Sequence, residues 1–85
     1  MRLSSLNPKL EHTDGVISAL RFACPMPVTA THGHHSHRIR IGAGGWFLVA
    51  GSTVEDITLA QSVAIHEGPC KFHMNLVAGE LRPAQ

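Results

Sequence analysis

Glycine and proline cut this chain into short pieces. They stand at Asp14-Gly15, at Pro25 and Pro27, through Gly42-Ala43-Gly44-Gly45, at Gly51-Ser52, at Gly68-Pro69 and at Gly79, and Pro83 closes the last piece. Such residues provide the unusual φ of turns or remove a ladder donor, so the elements between them must be brief. Within the pieces the apolar side chains recur every second residue. In 16–24, Leu20, Phe22 and Cys24 share one face and Arg21 takes the other; in 36–41, His37, Ile39 and Ile41 alternate with Ser36, Arg38 and Arg40. Period two is the signature of a half-buried strand. "WFLVA" (46–50) reads as a continuous apolar strand, and the Gly-rich run before it as a hairpin turn that pairs it with the strand at 36–41. A loop then leads to a strand near 62–66. After Gly68-Pro69, Phe72, Met74 and Leu76 point inward until Ala78-Gly79-Glu80 turns the chain into a short final segment.

These patterns predict a mostly β fold: one small antiparallel, zinc-ribbon-like domain over residues 15–85 with little helix. Residues 1–14 mix Ser, Asn, Pro, Glu, His and Asp without sustained periodicity and read as an extended N-terminal arm. No repeat, heptad or low-complexity tract is present.

Size and composition narrow the function. A chain of 85 residues builds a core worth only a few kcal/mol and gains from an extra staple, such as a metal or a partner. With 44% apolar residues, no Tyr, one Trp and three Phe, that core is aliphatic. The formal net charge of +1 gives no electrostatic footprint for nucleic acid, and Trp46 and Phe47 are accompanied by too few basic residues for a single-strand groove. The N-terminus lacks the apolar run of a secretory signal, and no segment is long and apolar enough for a bilayer, so a cytoplasmic, membrane-free location is expected. In a reducing cytosol Cys24 and Cys70 read as metal ligands or buried thiols rather than a disulfide.

Four of the seven histidines, His32, His34, His35 and His37, fall within six positions, and this cluster raises the question of a metal. Structural zinc takes about four N or S ligands, usually as two short pairs carried on turns. Cys70 with His73 has the x2 spacing of a knuckle. That pair chelates only if the strand starts at about Phe72 or His73, because in a regular strand the two α-carbons would lie about 10 Å apart on opposite faces. The other pair starts at Cys24-Pro25, where Pro27 occupies the place of a second knuckle cysteine and a histidine must substitute. His32, followed by Gly33, is the best placed; His35 and His37, as an i, i+2 pair on one strand face, are the competing arrangement. The predicted ligands are therefore Cys24, His32, Cys70 and His73, around a structural Zn2+.

Plainer roles stand beside these. A cysteine ending a strand is most often a small buried apolar residue, and a histidine run in a loop most often faces solvent, where it would gain charge near pH 6. Four protein ligands leave no open position for water, so catalysis is not expected, and nothing in the sequence fixes a neighbourhood for Cys70, Asp56 or Glu67 as nucleophile, acid or base. "GAGG" lacks the Lys-Ser/Thr of a phosphate-binding loop and precedes a strand rather than a helix.

The order "GVISALRFACP", "GGWFLV", "DITLAQSVAI", "PCKFHMNLVAGEL" resembles, from about residue 14 to the end, a family of small uncharacterised phage and prophage proteins often named ammonia monooxygenase. Its pattern is a strand into Cys-Pro-x-Cys-Gly, a Trp-containing strand, a Thr-Leu-Ser-Pro-Ser-like segment, and Cys-x-x-His leading into a hairpin with Gly. The resemblance implies metal-ligand roles for Cys24, Cys70 and His73 and structural roles for Trp46 and Gly79. This chain departs from the pattern where the second knuckle cysteine is replaced by a longer, histidine-rich loop, and where Ala60-Gln61-Ser62 replaces Ser-Pro-Ser. The enzyme name carries no weight, since ammonia oxidation of that kind uses a large membrane-bound complex. The resemblance thus implies a phage- or prophage-encoded module without catalysis that binds another protein, phage or host. An inhibitor of a host defence system such as an anti-CRISPR, or a small zinc hydrolase, are the alternatives. A nucleic-acid adaptor would require Arg38, Arg40 and Lys71 to converge on one face.

Overall fold

The period-two segments become strands, and the strands sort into three small antiparallel sheets. A computed structural model describes residues 1–26, 33 and 35–84. A 3-10 turn at Leu3–Leu6 is followed by β1 (Lys9–Thr13), β2 (Val16–Ala23), β3 (Ser36–Arg40), β4 (Leu48–Ala50), β5 (Thr58–Leu59), β6 (Val63–Glu67), β7 (Cys70–Val77) and β8 (Glu80–Pro83). The sheets run β1-β2-β3, β4-β5 and β6-β7-β8. Among the described residues no helix is long and apolar enough to cross a membrane. The expected mostly β, antiparallel architecture is what the chain adopts.

Inward residues of every sheet meet in one cluster. Leu20 and Phe22 of β2, Ile39 of β3, Leu59 of β5, Val63 and Ile65 of β6, Cys70 and Leu76 of β7 and Leu81 of β8 are all buried there, along with Ile57. Phe72 and Met74 pack against it from β7, as the alternation in that strand predicts. The β7–β8 hairpin turns at Ala78-Gly79, with Leu76 opposite Leu81.

Three expectations are corrected. Residues 1–14 are not a separate arm: Leu3 and Leu6 are buried in the common core, and β1 pairs with β2 along its whole length. Leu3 and Leu6 are spaced i, i+3, which puts both on one side of a 3-10 turn but gives no alternation to read. Asn7, at φ 49, then swings the chain into β1. Arg2 holds the segment by donating to the Glu55 carbonyl at 2.9 Å and the Ala78 carbonyl at 3.3 Å.

The glycine run does not form a hairpin. Gly42 and Gly44 take φ of +115 and +84, and Gly45 approaches so closely that a Cβ would lie 2.3 Å from the Arg40 carbonyl oxygen. The chain therefore curls within five residues and leaves parallel to its entry, with Trp46 bridging Ile41 in parallel. β3 takes β2 as its partner instead, and β4 pairs with β5.

The apolar run 46–50 is not a core strand. The Trp46 indole is drawn in by donating to the Ser62 carbonyl at 2.9 Å, whereas Phe47 and Val49 are 54% and 62% exposed.

Candidate metal centre

The site assembles where the ends of two sheets meet. β2 ends at Ala23, and its inward parity continues to Cys24, whose N–H donates to the His35 carbonyl at 2.8 Å. That bond extends the β2–β3 ladder, in which Phe22 faces His37 and Ala23 faces Ser36. Cys24 and His37 therefore project from neighbouring strands toward the core. Cys70 arrives from the other sheet as the first residue of β7, directly after the Gly68-Pro69 turn and opposite Glu67. Its parity with Phe72, Met74 and Leu76 aims it inward, and it is 1% exposed.

One ligand atom each from Cys24, His37 and Cys70 lies within 4.8 Å of the others. The two Sγ atoms are 3.5 Å apart, well beyond disulfide length. Four donors around a tetrahedral zinc are separated by about 3.5–3.8 Å, given Zn–S of about 2.3 Å and Zn–N of about 2.0–2.1 Å. The Sγ pair already has that separation, and the imidazole needs to approach by no more than about 1.3 Å to match it. The group is compatible with a metal. Its two sulfurs and one imidazole suit soft or borderline ions rather than magnesium or calcium.

The surroundings are apolar and aromatic. The His37 ring packs on Phe72 with centroids 5.5 Å apart and on Phe22 at 5.8 Å, and Phe22 meets Phe72 edge-on at 6.2 Å. Burial pushes the Cys70 thiol up to about 11, and the adjacent Cys24 thiol and the Glu67 carboxylate add to the shift. A metal binding here displaces the thiol protons, because thiolate is the ligating form. Glu67 reaches to 3.9 Å from His37 Nδ1.

Two of the four ligands predicted from sequence, Cys24 and Cys70, come together. His73 does not join them. β7 is regular from Cys70 onward, so three residues later the side chain is on the opposite face, exposed and hydrogen-bonded to the Ser62 hydroxyl. The knuckle reading required the strand to start at Phe72 or beyond, and it starts two residues too early. His32 lies outside the described residues, as does His34. His37, considered in the competing pair with His35, is the histidine that β3 brings to the two cysteines. The signal that marks it is its place in register with Ile39 and Ile41 on the apolar face of that strand.

The other candidates have structural tasks. Asp56 Oδ1 accepts from the Ser52 and Thr53 N–H groups at 3.0 and 2.8 Å and from the Thr53 hydroxyl at 2.9 Å; these bonds hold its carboxyl below the usual range and close the turn before β5. Arg38 and Arg40 share the outward face of β3, while Lys71 sits in the other three-stranded sheet.

Comparison of the chain with protein-family models, with curated proteins and with solved structures returned no match.

Proposed function

We propose that this chain is a zinc-stabilised protein-binding module, without catalytic activity of its own, in which Cys24, His37 and Cys70 hold a structural Zn2+. The observation that carries the reading is the convergence of these three donors, from strands of two different sheets, within 4.8 Å of one another. Joining the sheets at this point is what a staple in a small aliphatic domain accomplishes, since each sheet alone buries one face only. Zinc is preferred over other soft ions because a tetrahedral Cys/His donor set is its commonest structural setting. The fourth donor is assigned to the histidine-rich loop, with His32 as the residue that its Gly33 neighbour favours.

Binding of a protein partner is supported by the exposed apolar strand β4 and the residue before it, where Phe47, Leu48 and Val49 are exposed and β5 is the only described pairing partner. The order of the segments around Cys24, Trp46 and Cys70 supports an origin in a phage or prophage. The partner is then a protein of the phage or of its bacterial host, met in the host cytoplasm, with inhibition of a host defence system as one form of that role.

Elemental analysis and a thermal melt before and after chelation test the metal. About one zinc per chain and a large loss of stability on chelation are expected; a metal-free protein whose melt chelator leaves unchanged would overturn the proposal.

A further inference from the structure

The outward face of the β1-β2-β3 sheet carries like charges in direct opposition. Lys9 is the register partner of Arg21, and Arg21 that of Arg38, so three cations form one row across adjacent strands about 4.8 Å apart. Like charges facing one another in this way work against pairing. One acid answers them. Glu11, two residues along β1, bonds Arg21 and accepts from Arg38 Nε at 3.1 and 3.2 Å and from Arg38 Nη2 at 3.2 Å. The two guanidiniums hold the Glu11 carboxyl down at about 2, so it is ionised at neutral pH.

Lys9, Arg21 and Arg38 against Glu11 leave the row with a net charge of +2, and Lys9 has no ion pair among the described residues. The row also lines an open depression of about 310 Å³, together with Asn7, Phe22, Ala23, Ser36 and His37. The depression therefore brings two arginines and a lysine together with an asparagine and a serine.

We propose that this depression is a binding site for a phosphate monoester. Such a group carries about −1.5 to −2 at pH 7 and three strong acceptor oxygens, which matches both the net charge and the donors of the row. Arginine presents paired N–H groups to two of those oxygens, and Lys9 supplies a point charge for the third. Glu11 holds both guanidiniums, and its bonds to Arg38 Nε and Nη2 leave Arg38 Nη1 as a further donor. A nucleic-acid backbone fits less well, because the row is a single short one, contains an acid, and belongs to a chain whose formal net charge is only +1. The charged side chains of the row lie on the face of the sheet opposite Cys24 and His37, and His37 borders the depression.

Titration of the full chain with inorganic phosphate, O-phosphoserine, adenosine monophosphate and a short DNA duplex, followed by amide NMR shifts at low salt, tests the assignment. Saturable binding of the phosphates with Kd of about 1 mM is expected, with shifts centred on Lys9, Arg21 and Arg38. The tighter of the two monoesters identifies the source, an amino-acid or a nucleotide ester. Lys9→Gln, at an exposed position, should keep the fold and lose about tenfold in affinity. Arg38→Lys retains the charge but not the fork and should lose severalfold. Glu11→Gln releases both guanidiniums and should bind more tightly despite a less stable sheet. No saturable phosphate binding, affinity unchanged by Lys9→Gln in a folded protein, or preference for the duplex would each overturn the proposal.

Discussion

Gly79 is a position where a single methyl group should do severe damage. It sits at φ +74, donates its N–H to the Ile57 carbonyl at 2.9 Å and accepts from the Leu3 N–H at 2.8 Å, so it joins the β7–β8 turn, the β5 approach and the N-terminal turn. A Cβ there would lie 2.3 Å from the Glu55 carbonyl oxygen and 2.5 Å from its carbon, both backbone atoms that no rotamer can move aside. Gly15, in the β1–β2 turn, has a similar φ of +77 but nothing within 4 Å of the same methyl group. Left-handed backbone costs alanine about 1–2 kcal/mol at either site. The forced separation at Gly79 adds about 1–3 kcal/mol of overpacking. Gly79→Ala is therefore expected to cost about 2–5 kcal/mol and Gly15→Ala about 1–2. At about 4–8 °C per kcal/mol for a domain of this size, the two melts should differ clearly. Urea unfolding of both variants, read by circular dichroism with m unchanged, measures the difference directly. Equal losses within about 0.5 kcal/mol would refute the close approach at Gly79 and with it the docking of residues 1–6.

The metal centre, the core and the ion pairs each give a further test. His37→Ala should abolish zinc retention whereas His73→Ala should leave it intact, measured as metal per chain after gel filtration; the reverse pattern would restore the knuckle reading. Ile57 is fully buried, so Ile57→Ala should cost about 2–5 kcal/mol, seen as a lower urea midpoint. The Glu11 carboxyl is depressed in the folded chain from 4.5 to about 2, so its contribution is present above pH 4.5 and lost as pH falls through that window. The gap in Tm between the wild type and Glu11→Gln should accordingly close between pH 4.5 and about 2, and a gap that stays constant would contradict the ion pairs seen on β1.

Alternation is readable wherever a strand has one wet face. Phe72, Met74 and Leu76, and Ile39 and Ile41, announce their faces plainly, and the β7–β8 hairpin follows from Gly79. The parts that are not readable depend on contacts distant in sequence. Leu3 and Leu6 look like isolated apolar residues until Gly79 and Glu55 fix the turn that carries them. "WFLVA" reads as core because run length alone cannot tell a buried strand from an exposed one; the hydrogen bond from Trp46 to Ser62 decides it. The glycine run permits a hairpin and a parallel curl equally, and the pairing of β3 with β2 selects the curl.

At the metal centre the two cysteines are legible from their chemistry, while the histidine depends on where β7 begins. A two-residue difference in that boundary moves His73 to the far side of the sheet, and His37 is the histidine found beside the two cysteines. Spacing motifs assume a turn, and here parity along a strand overrules the spacing.

Zinc K-edge X-ray absorption on the metal-loaded protein bears most directly on the centre. Two sulfur donors at about 2.3 Å, with the remaining shell of nitrogen or oxygen at about 2.0–2.1 Å, are predicted, falling to one sulfur in Cys24→Ser. A spectrum with no sulfur shell, or one unchanged by Cys24→Ser, would contradict a site built from Cys24, His37 and Cys70.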